Sequence, residues 1–588
     1  MESTNIKFKN SVLGCQNCKQ DFTIESEDFI FYKKLNVPPP TWCPRCRFLR
    51  RMAFANERSL YWRSCNSCGI SMFAMYHPSE PINAWCDECY DSDKRNGLDY
   101  GREYDFSRPF FEQWRELRNS VPRKQIERSG SDGAGCDYSN YCYWGKNVYL
   151  SFNTLNGENI KYSKNSHKGS KNCMDCLNTK TNEGCYEAVQ SSYNYDSSFL
   201  VKSEQCISSS FLFDCVNCIN CCMSSNLRNK SYVFNNLQLS KEEYWAKIKS
   251  FELSSNSGQA KAKILFDQVV KDAVQKYAQI KNSINCTGDY VENAKDCFDC
   301  YGLVGAEDVK NSYLSLSASK NSRDLTLTGR ADECCETLHG GKQMYRAVFA
   351  FHCGSSRNIF YCDNCKNCLH CFGCAGLKNK KYCIFNKQYN EKEYFELVEK
   401  IKQHMIDMPF LDKIGRKYSF GECFPAEFSP FFYNESLVYE ENQLTKEEAI
   451  AQGYRWLDKD KKIYDTTLES KNIPDDINDV GKKICEEIIE CPNKGEVATM
   501  CTYGFKILPD ELVFYKKMNL PVPRYCPNCR YYQRLKWTNP FKFYKRECMC
   551  ESENHGHSDK CENQFETMHA PDRKELIYCK DCYNKEVY

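Results

Sequence analysis

The sequence lacks the features that most directly announce a function. It has no run of about 18 apolar residues, so no transmembrane helix is expected. Its first residues, MESTNIKFKN, carry no apolar core and no small-residue cleavage pattern, so no secretory signal is expected and the thiols are assigned to a reducing cytoplasm. No P-loop, HExxH or GxSxG stands in a suitable context, and no GxGxxG is followed by a partnering acid; no cysteine shows a recognisable catalytic partner spacing. An excess of one charge is also missing. The 80 Lys and Arg against 78 Asp and Glu leave a formal charge of +2, so any nucleic-acid contact has to rest on a local patch. What is abundant is cysteine, 41 residues in 588, and in that setting thiols are metal ligands or core side chains before they are disulfides. The length calls for several domains.

The cysteines are organised by a pattern written near both ends. The first copy runs Cys15-x2-Cys18, FYKKLNVPPPTW, Cys43-Pro-Arg-Cys46-Arg, YWRS, Cys65-x2-Cys68. The second runs Cys501, FYKKMNLPVPRY, Cys526-Pro-Asn-Cys529-Arg, FYKRE, Cys548-Met-Cys550. Paired CxxC turns around an intervening segment are the ligand layout of a zinc ribbon, each turn offering two thiolates to a tetrahedral ion. Cys15, Cys18, Cys43 and Cys46 form the first expected site, and Cys65, Cys68, Cys86 and Cys89 the second. At the other end Ala498 stands where Cys15 has its counterpart, so Cys491, or else Cys485, joins Cys501, Cys526 and Cys529 in the third. Cys548, Cys550, Cys579 and Cys582 form the fourth, with His555, His557 and Cys561 as local extras and His77 and His569 beside the ligands or at the surface. FTIESEDFIFYKK reads as strands, ended by the proline run.

Both copies interleave cations with aromatic residues. Arg45, Arg47, Arg50 and Arg51 in the first, and Arg530, Arg534, Lys536, Lys542 and Lys545 in the second, suit phosphate neutralisation beside stacking bases, so RNA or a ribonucleoprotein is one expected partner. The alternative is a small aromatic core with cations solvating it.

Between the copies, DFSRPFFEQWRELRNS predicts a docking helix after Pro109, with Phe110, Phe111, Trp114 and Leu117 on one face, and SGSDGAGC reads as a joint. Short strands then recur about every twelve residues, for example at 148–150, 160–162, 186–188, 199–201 and 211–213, and again at 323–325, 347–349, 359–361 and 382–384. This predicts a mainly β fold, a β-solenoid whose coils bury inward side chains against one another. The solenoid is expected to be duplicated, because Cys215, Cys218 and Cys221 align with Cys365, Cys368 and Cys371. Capping helices are expected from Ser240, from about 261 to 280, and from Asn390. The central cysteines have two readings, further zinc at Cys215, Cys218, Cys365, Cys368 and Cys371, or small core side chains.

The expected organisation is a double zinc-ribbon module at 1–100, a docking helix and linker at 101–135, β-solenoid halves at 136–239 and 286–389 with a helical insert at 240–285, a helix, extended segment and charged linker at 390–480, and a second double zinc-ribbon module at 481–588. Together with LRNKSYVFN, LKNKKYCIFN and FPAEFSPFFYNES, these motifs resemble a family of long cysteine-rich zinc-ribbon/repeat proteins of candidate-phylum bacteria. The resemblance covers nearly the whole chain and implies no activity, substrate or catalytic residue. The reading that follows is a non-catalytic, zinc-stabilised cytoplasmic scaffold or adaptor for RNA, a ribonucleoprotein or a protein partner, itself included. The alternatives are a β-helix enzyme or carbohydrate binder, and a thiol-rich metal store.

Overall fold

The chain is mainly β in its computed structural model, which describes residues 9–128, 135, 136, 138–458 and 465–588. Most of the joint read at 129–136 and the start of the charged linker, 459–464, lie outside the described residues.

Two long ladders make up the centre. The first joins strands from Lys146–Tyr149 to Leu237–Gln238, the second from Ile280–Lys281 to Lys387–Gln388. Within each, neighbours pair in parallel at a step of about twelve residues: Val148 with Ile160, Ala188 with Leu200, Leu200 with Leu212, and likewise Ile359 with Cys371 and Cys371 with Cys383. An antiparallel hairpin ends each ladder. Backbone in the left-handed region recurs at nearly every third position, as at Asn153, Asn156, Asn159, Tyr162 and Asn165. Asparagine tolerates that conformation better than other residues with a Cβ, which explains its density here. Its side chains also bond from step to step, Asn153 to Asn165 and Asn165 to Asn178, both at 2.6 Å. Inside the ladders lie two narrow cores of Cys, Ala, Val, Leu and Ile.

The terminal modules cross over. Helix Pro44–Met52 of the N-terminal module packs on the second ladder, at strands Lys320–Thr326 and Cys335–Leu338. The docking helix, Phe110–Ser120, joins it there. Its Trp114 is fully buried and donates to the Tyr361 carbonyl at 3.0 Å, while Phe110 packs on Tyr361 and Phe372. The C-terminal module instead shares a core with the first ladder, through Tyr186, Phe199, Leu512 and Tyr515.

Three local expectations are corrected. Of FTIESEDFIFYKK only the start is strand, within Asp21–Ile24, while FIFYKK lies in helix Ser26–Leu35, as its counterpart VFYKK does in helix Pro509–Lys517. Acidic first turns, lysines in the last turn and one buried face (Phe31, Tyr32 and Leu35 in the first) favour helix over the local alternation. The helix placed at 261–280 is Asn256–Asp272, buries Ala262, Phe266 and Val270, and gives way to a strand, Val274–Lys276, paired with Leu576–Tyr578 of the C-terminal module. The charged linker is held at Asp475 and Asp476, which accept from Ser257 and Ser254, because Ile473, Ile477 and Val480 are buried beside them. No helix of the described residues is long and apolar enough to cross a membrane.

Candidate metal centres

Four tetrads of thiols can each hold a metal ion: Cys15, Cys18, Cys43 and Cys46; Cys65, Cys68, Cys86 and Cys89; Cys491, Cys501, Cys526 and Cys529; and Cys548, Cys561, Cys579 and Cys582. They are built alike. The third cysteine of each caps a helix whose first turn carries the fourth: Cys43 before Pro44–Met52, Cys86 before Asp87–Asp91, Cys526 before Pro527–Leu535, Cys579 before Lys580–Val587. Its backbone N–H donates to the sulfur of the first cysteine, at 3.2 Å to Cys15, 3.2 Å to Cys65, 3.4 Å to Cys491 and 3.2 Å to Cys548. A helix N-terminus and inward-facing amides favour thiolate over thiol.

The spacing fits a small tetrahedral ion. Sulfurs about 2.3 Å from one tetrahedral centre lie about 3.8 Å apart. Cys18 and Cys43, Cys68 and Cys86, and Cys491 and Cys529 are each 3.8 Å apart, and Cys526 and Cys501 are 3.9 Å apart. The thiols respond to this crowding. The contact with Cys43 is the main influence drawing the Cys15 thiol far down, and that with Cys491 takes Cys501 to about 7. At Cys65 burial opposes ionisation, but backbone donors at Cys68, Cys86 and Ser67 outweigh it and bring the thiol to about 6.

Fifteen of the sixteen expected ligands fall in these tetrads; Cys550 does not. Its place is taken by Cys561, which precedes Cys579 by 18 residues, the separation of Cys68 from Cys86. That matched interval was the available signal. Cys550 instead turns to His555, whose Nδ1 lies 3.1 Å from its sulfur. The missing counterpart at Ala498 is supplied by Cys491, while Cys485 sits half-buried against the neighbouring core.

The nucleic-acid expectation needs a larger correction. Arg47, Arg50, Arg51, Arg530 and Arg534 are 0–3% exposed and point into the protein. Arg47 donates to Asp324 at 2.8 Å and Arg51 to the other oxygen of Asp324 at 3.3 Å; Arg50 holds Glu336 at 3.0 Å and Glu422 at 3.1 Å. At the other end Arg530 and Arg534 close on Asp175 at 3.0 and 2.7 Å. Each helix turns its arginines inward because it is pinned on a ladder that presents a buried carboxylate. Arg45 is partly covered too, donating to the carbonyls of Phe541 and Glu441. Lys536, Lys542 and Lys545 remain exposed.

The ladder cysteines line up in files, Cys218 touching Cys206, Cys215 and Cys221 and Cys371 touching Cys368, Cys374 and Cys383, without closing around one point. Among the described residues, Cys215, Cys218, Cys365, Cys368 and Cys371 belong to no group of three or more ligands. They take the same inward positions as Ser203, Ser209 and Ser356 and make the same bonds: Cys365 to the Asp363 and Cys374 carbonyls at 3.7 and 3.6 Å, Ser356 to those of Gly354 and Cys365 at 3.1 and 3.3 Å. Burial pushes the thiols of Cys173, Cys300 and Cys362 well up, which keeps them protonated. No family model matches the chain, and no curated protein matches it.

Proposed function

We propose that the protein is a non-catalytic scaffold in which zinc folds two clamp modules onto a duplicated pair of four-sided β-solenoids. The observation that carries this reading is the continuity from metal ligand to docking contact. Cys43 and Cys46 set the helix that delivers Arg47 and Arg51 to Asp324, and Cys526 and Cys529 set the helix that delivers Arg530 and Arg534 to Asp175. A tetrad completed by four protein thiolates leaves no position for water or substrate, as expected of structural rather than catalytic zinc. Zinc is favoured over harder ions by the all-sulfur donor set and the tetrahedral spacing. The twelve-residue parallel step, with about four left-handed corners in each, supports the solenoid reading.

A protein is the better-supported partner. The sheet of the first solenoid half exposes a column of apolar side chains at matched positions, Tyr195 at 53%, Ile207 at 40% and Ile219 at 40%, whereas most of the arginines once assigned to RNA are internal. Exposed Lys536, Lys542 and Lys545 keep an RNA contact as the second reading.

The test is purification of the full chain at low salt, with and without nuclease, followed by metal quantification and identification of what co-purifies. Four or more equivalents of zinc and a nuclease-resistant protein partner support the reading. A nuclease-sensitive partner moves it to RNA. Full protease resistance after chelation has removed all metal would overturn the structural role of zinc.

A further inference from the structure

The fourth tetrad has a neighbour. Cys550, His555, His557 and Cys582 form a second group whose ligand atoms lie within 4.8 Å of one another, and Cys582 belongs to both. We infer that the C-terminal module holds a dinuclear centre: one ion on Cys548, Cys561, Cys579 and Cys582, the other on Cys550, His555, His557 and Cys582, with the Cys582 thiolate bridging them. This inference rests on the structural-zinc reading above and raises the content to five ions per chain.

Three observations support it. First, the distances suit a metal. A nitrogen about 2.0 Å and a sulfur about 2.3 Å from one tetrahedral ion are about 3.5 Å apart. His557 Nε2 lies 3.5 Å from Cys582 Sγ, and His555 Nδ1 lies 3.1 Å from Cys550 Sγ.

Second, each imidazole has its remaining nitrogen engaged in the way metal-bound histidines do. His555 turns Nε2 to the Glu586 carboxylate at 3.4 Å, and His557 Nδ1 meets the Asp559 carbonyl at 2.5 Å. A carbonyl only accepts, so His557 carries its proton on Nδ1 and presents a bare Nε2 to the site. For His555 the carboxylate selects the opposite tautomer and leaves Nδ1 bare. Such partners fix the tautomer and raise ligand basicity. Both free lone pairs therefore converge on the same small volume.

Third, the extra ligands come together in one insertion. In the N-terminal module Cys65 and Cys68 are joined by a two-residue turn, but the corresponding segment from Cys548 to Cys561 is ten residues longer. Cys550, His555 and His557 all lie within it. With this longer loop, Cys561 still keeps the position that Cys68 has relative to the final cysteine pair. Nothing in the mononuclear tetrad explains why the added loop should aim two imidazoles and a thiol at the sulfur of Cys582. A second ion does, and sharing one thiolate lets five sulfurs and two nitrogens complete two four-coordinate sites.

The test uses the full-length protein produced with zinc. Metal per chain is measured by elemental analysis in the unmodified protein and in a His555→Ala/His557→Ala variant. The expected result is five equivalents falling to four. A sample exchanged with 113Cd supplies the check that does not depend on a variant folding: two of its resonances should be linked by coupling through the Cys582 sulfur. Four equivalents in both proteins, with no such coupling, would overturn the dinuclear centre and leave the four-thiolate reading standing. Absence of bound zinc from purified, folded protein would overturn both.

Discussion

The N-terminal module on the second ladder and the C-terminal module on the first solve one problem with the same parts. Arg47 and Arg530 both stand four residues after the third ligand of their tetrad, and both donate to a buried aspartate and to the carbonyl of an aromatic residue, Trp42 or Tyr525. Asp324 and Asp175 both sit in the left-handed region of a ladder strand or its edge. Further along, Tyr90 of the first module reaches Asn364, and Tyr583 of the second reaches Asp214. Each module therefore grips its ladder at two places, once with each cysteine-capped helix. The difference lies at one position. Arg50 is fully buried between Glu336 and Glu422, whereas its counterpart, Gln533, is exposed, and Glu187 of the first ladder turns to Lys263 instead. The shared part is the clamp that runs from the cysteine tetrad to the buried carboxylate; the extra arginine deepens it on one side only.

The largest way to break the correspondence is to remove a ligand. Cys43→Ser or Cys526→Ser should each lose one ion and release the docking helix, since structural zinc contributes about 10–16 kcal/mol in small isolated sites. Metal analysis and limited proteolysis would detect this at both ends alike. Cys365→Ser is the control. It keeps all the metal and changes stability by less than about 2 kcal/mol, because serine already fills equivalent ladder positions.

Next come the carboxylates. Asp175→Ala strands Arg530 and Arg534 and should cost about 3–5 kcal/mol in denaturant unfolding, the usual penalty for an orphaned buried charge. Asp324→Ala should cost less, because Arg51 keeps Glu336 at 3.3 Å. Equal losses would show that the second ladder's additional carboxylates do not share the load. Arg50→Gln, which makes the N-terminal module resemble its counterpart, should cost about 3 kcal/mol. The neighbouring Arg51 retains part of the charge balance.

The smallest effect concerns Asp299 on the second ladder, which feels Glu25 of one module and Glu566 of the other. Burial first, then these two carboxylates, raise it from 3.8 to about 6. The folded state thus holds this proton more tightly than the unfolded chain, so its contribution to stability is fullest below about pH 4 and is lost as pH rises to about 6. Asp299→Asn should add about 2–3 kcal/mol at pH 7.5 and next to nothing at pH 4, measured as a shift in unfolding midpoint. Asparagine also suits the left-handed backbone there.

What the sequence alone determined is what depends on local spacing. The CxxC turns, the cysteine intervals and the twelve-residue rhythm each follow from chain geometry over a few residues, so fifteen of the tetrad cysteines and the ladder strand positions could be read directly. The helix Phe110–Ser120 was legible for the same reason, through its apolar spacing. The tertiary structure decided which way the charged residues face. A cation beside an aromatic residue has the same sequence signature on a surface as in a clamp, and Asp324 lies 277 residues from Arg47, Asp175 355 from Arg530. It also decided that Cys561 rather than Cys550 completes the fourth tetrad, and that His555, His557 and Cys550 meet at Cys582. Those choices depend on how a loop closes in three dimensions, where a sulfur-to-sulfur distance of about 3.8 Å outranks proximity along the chain.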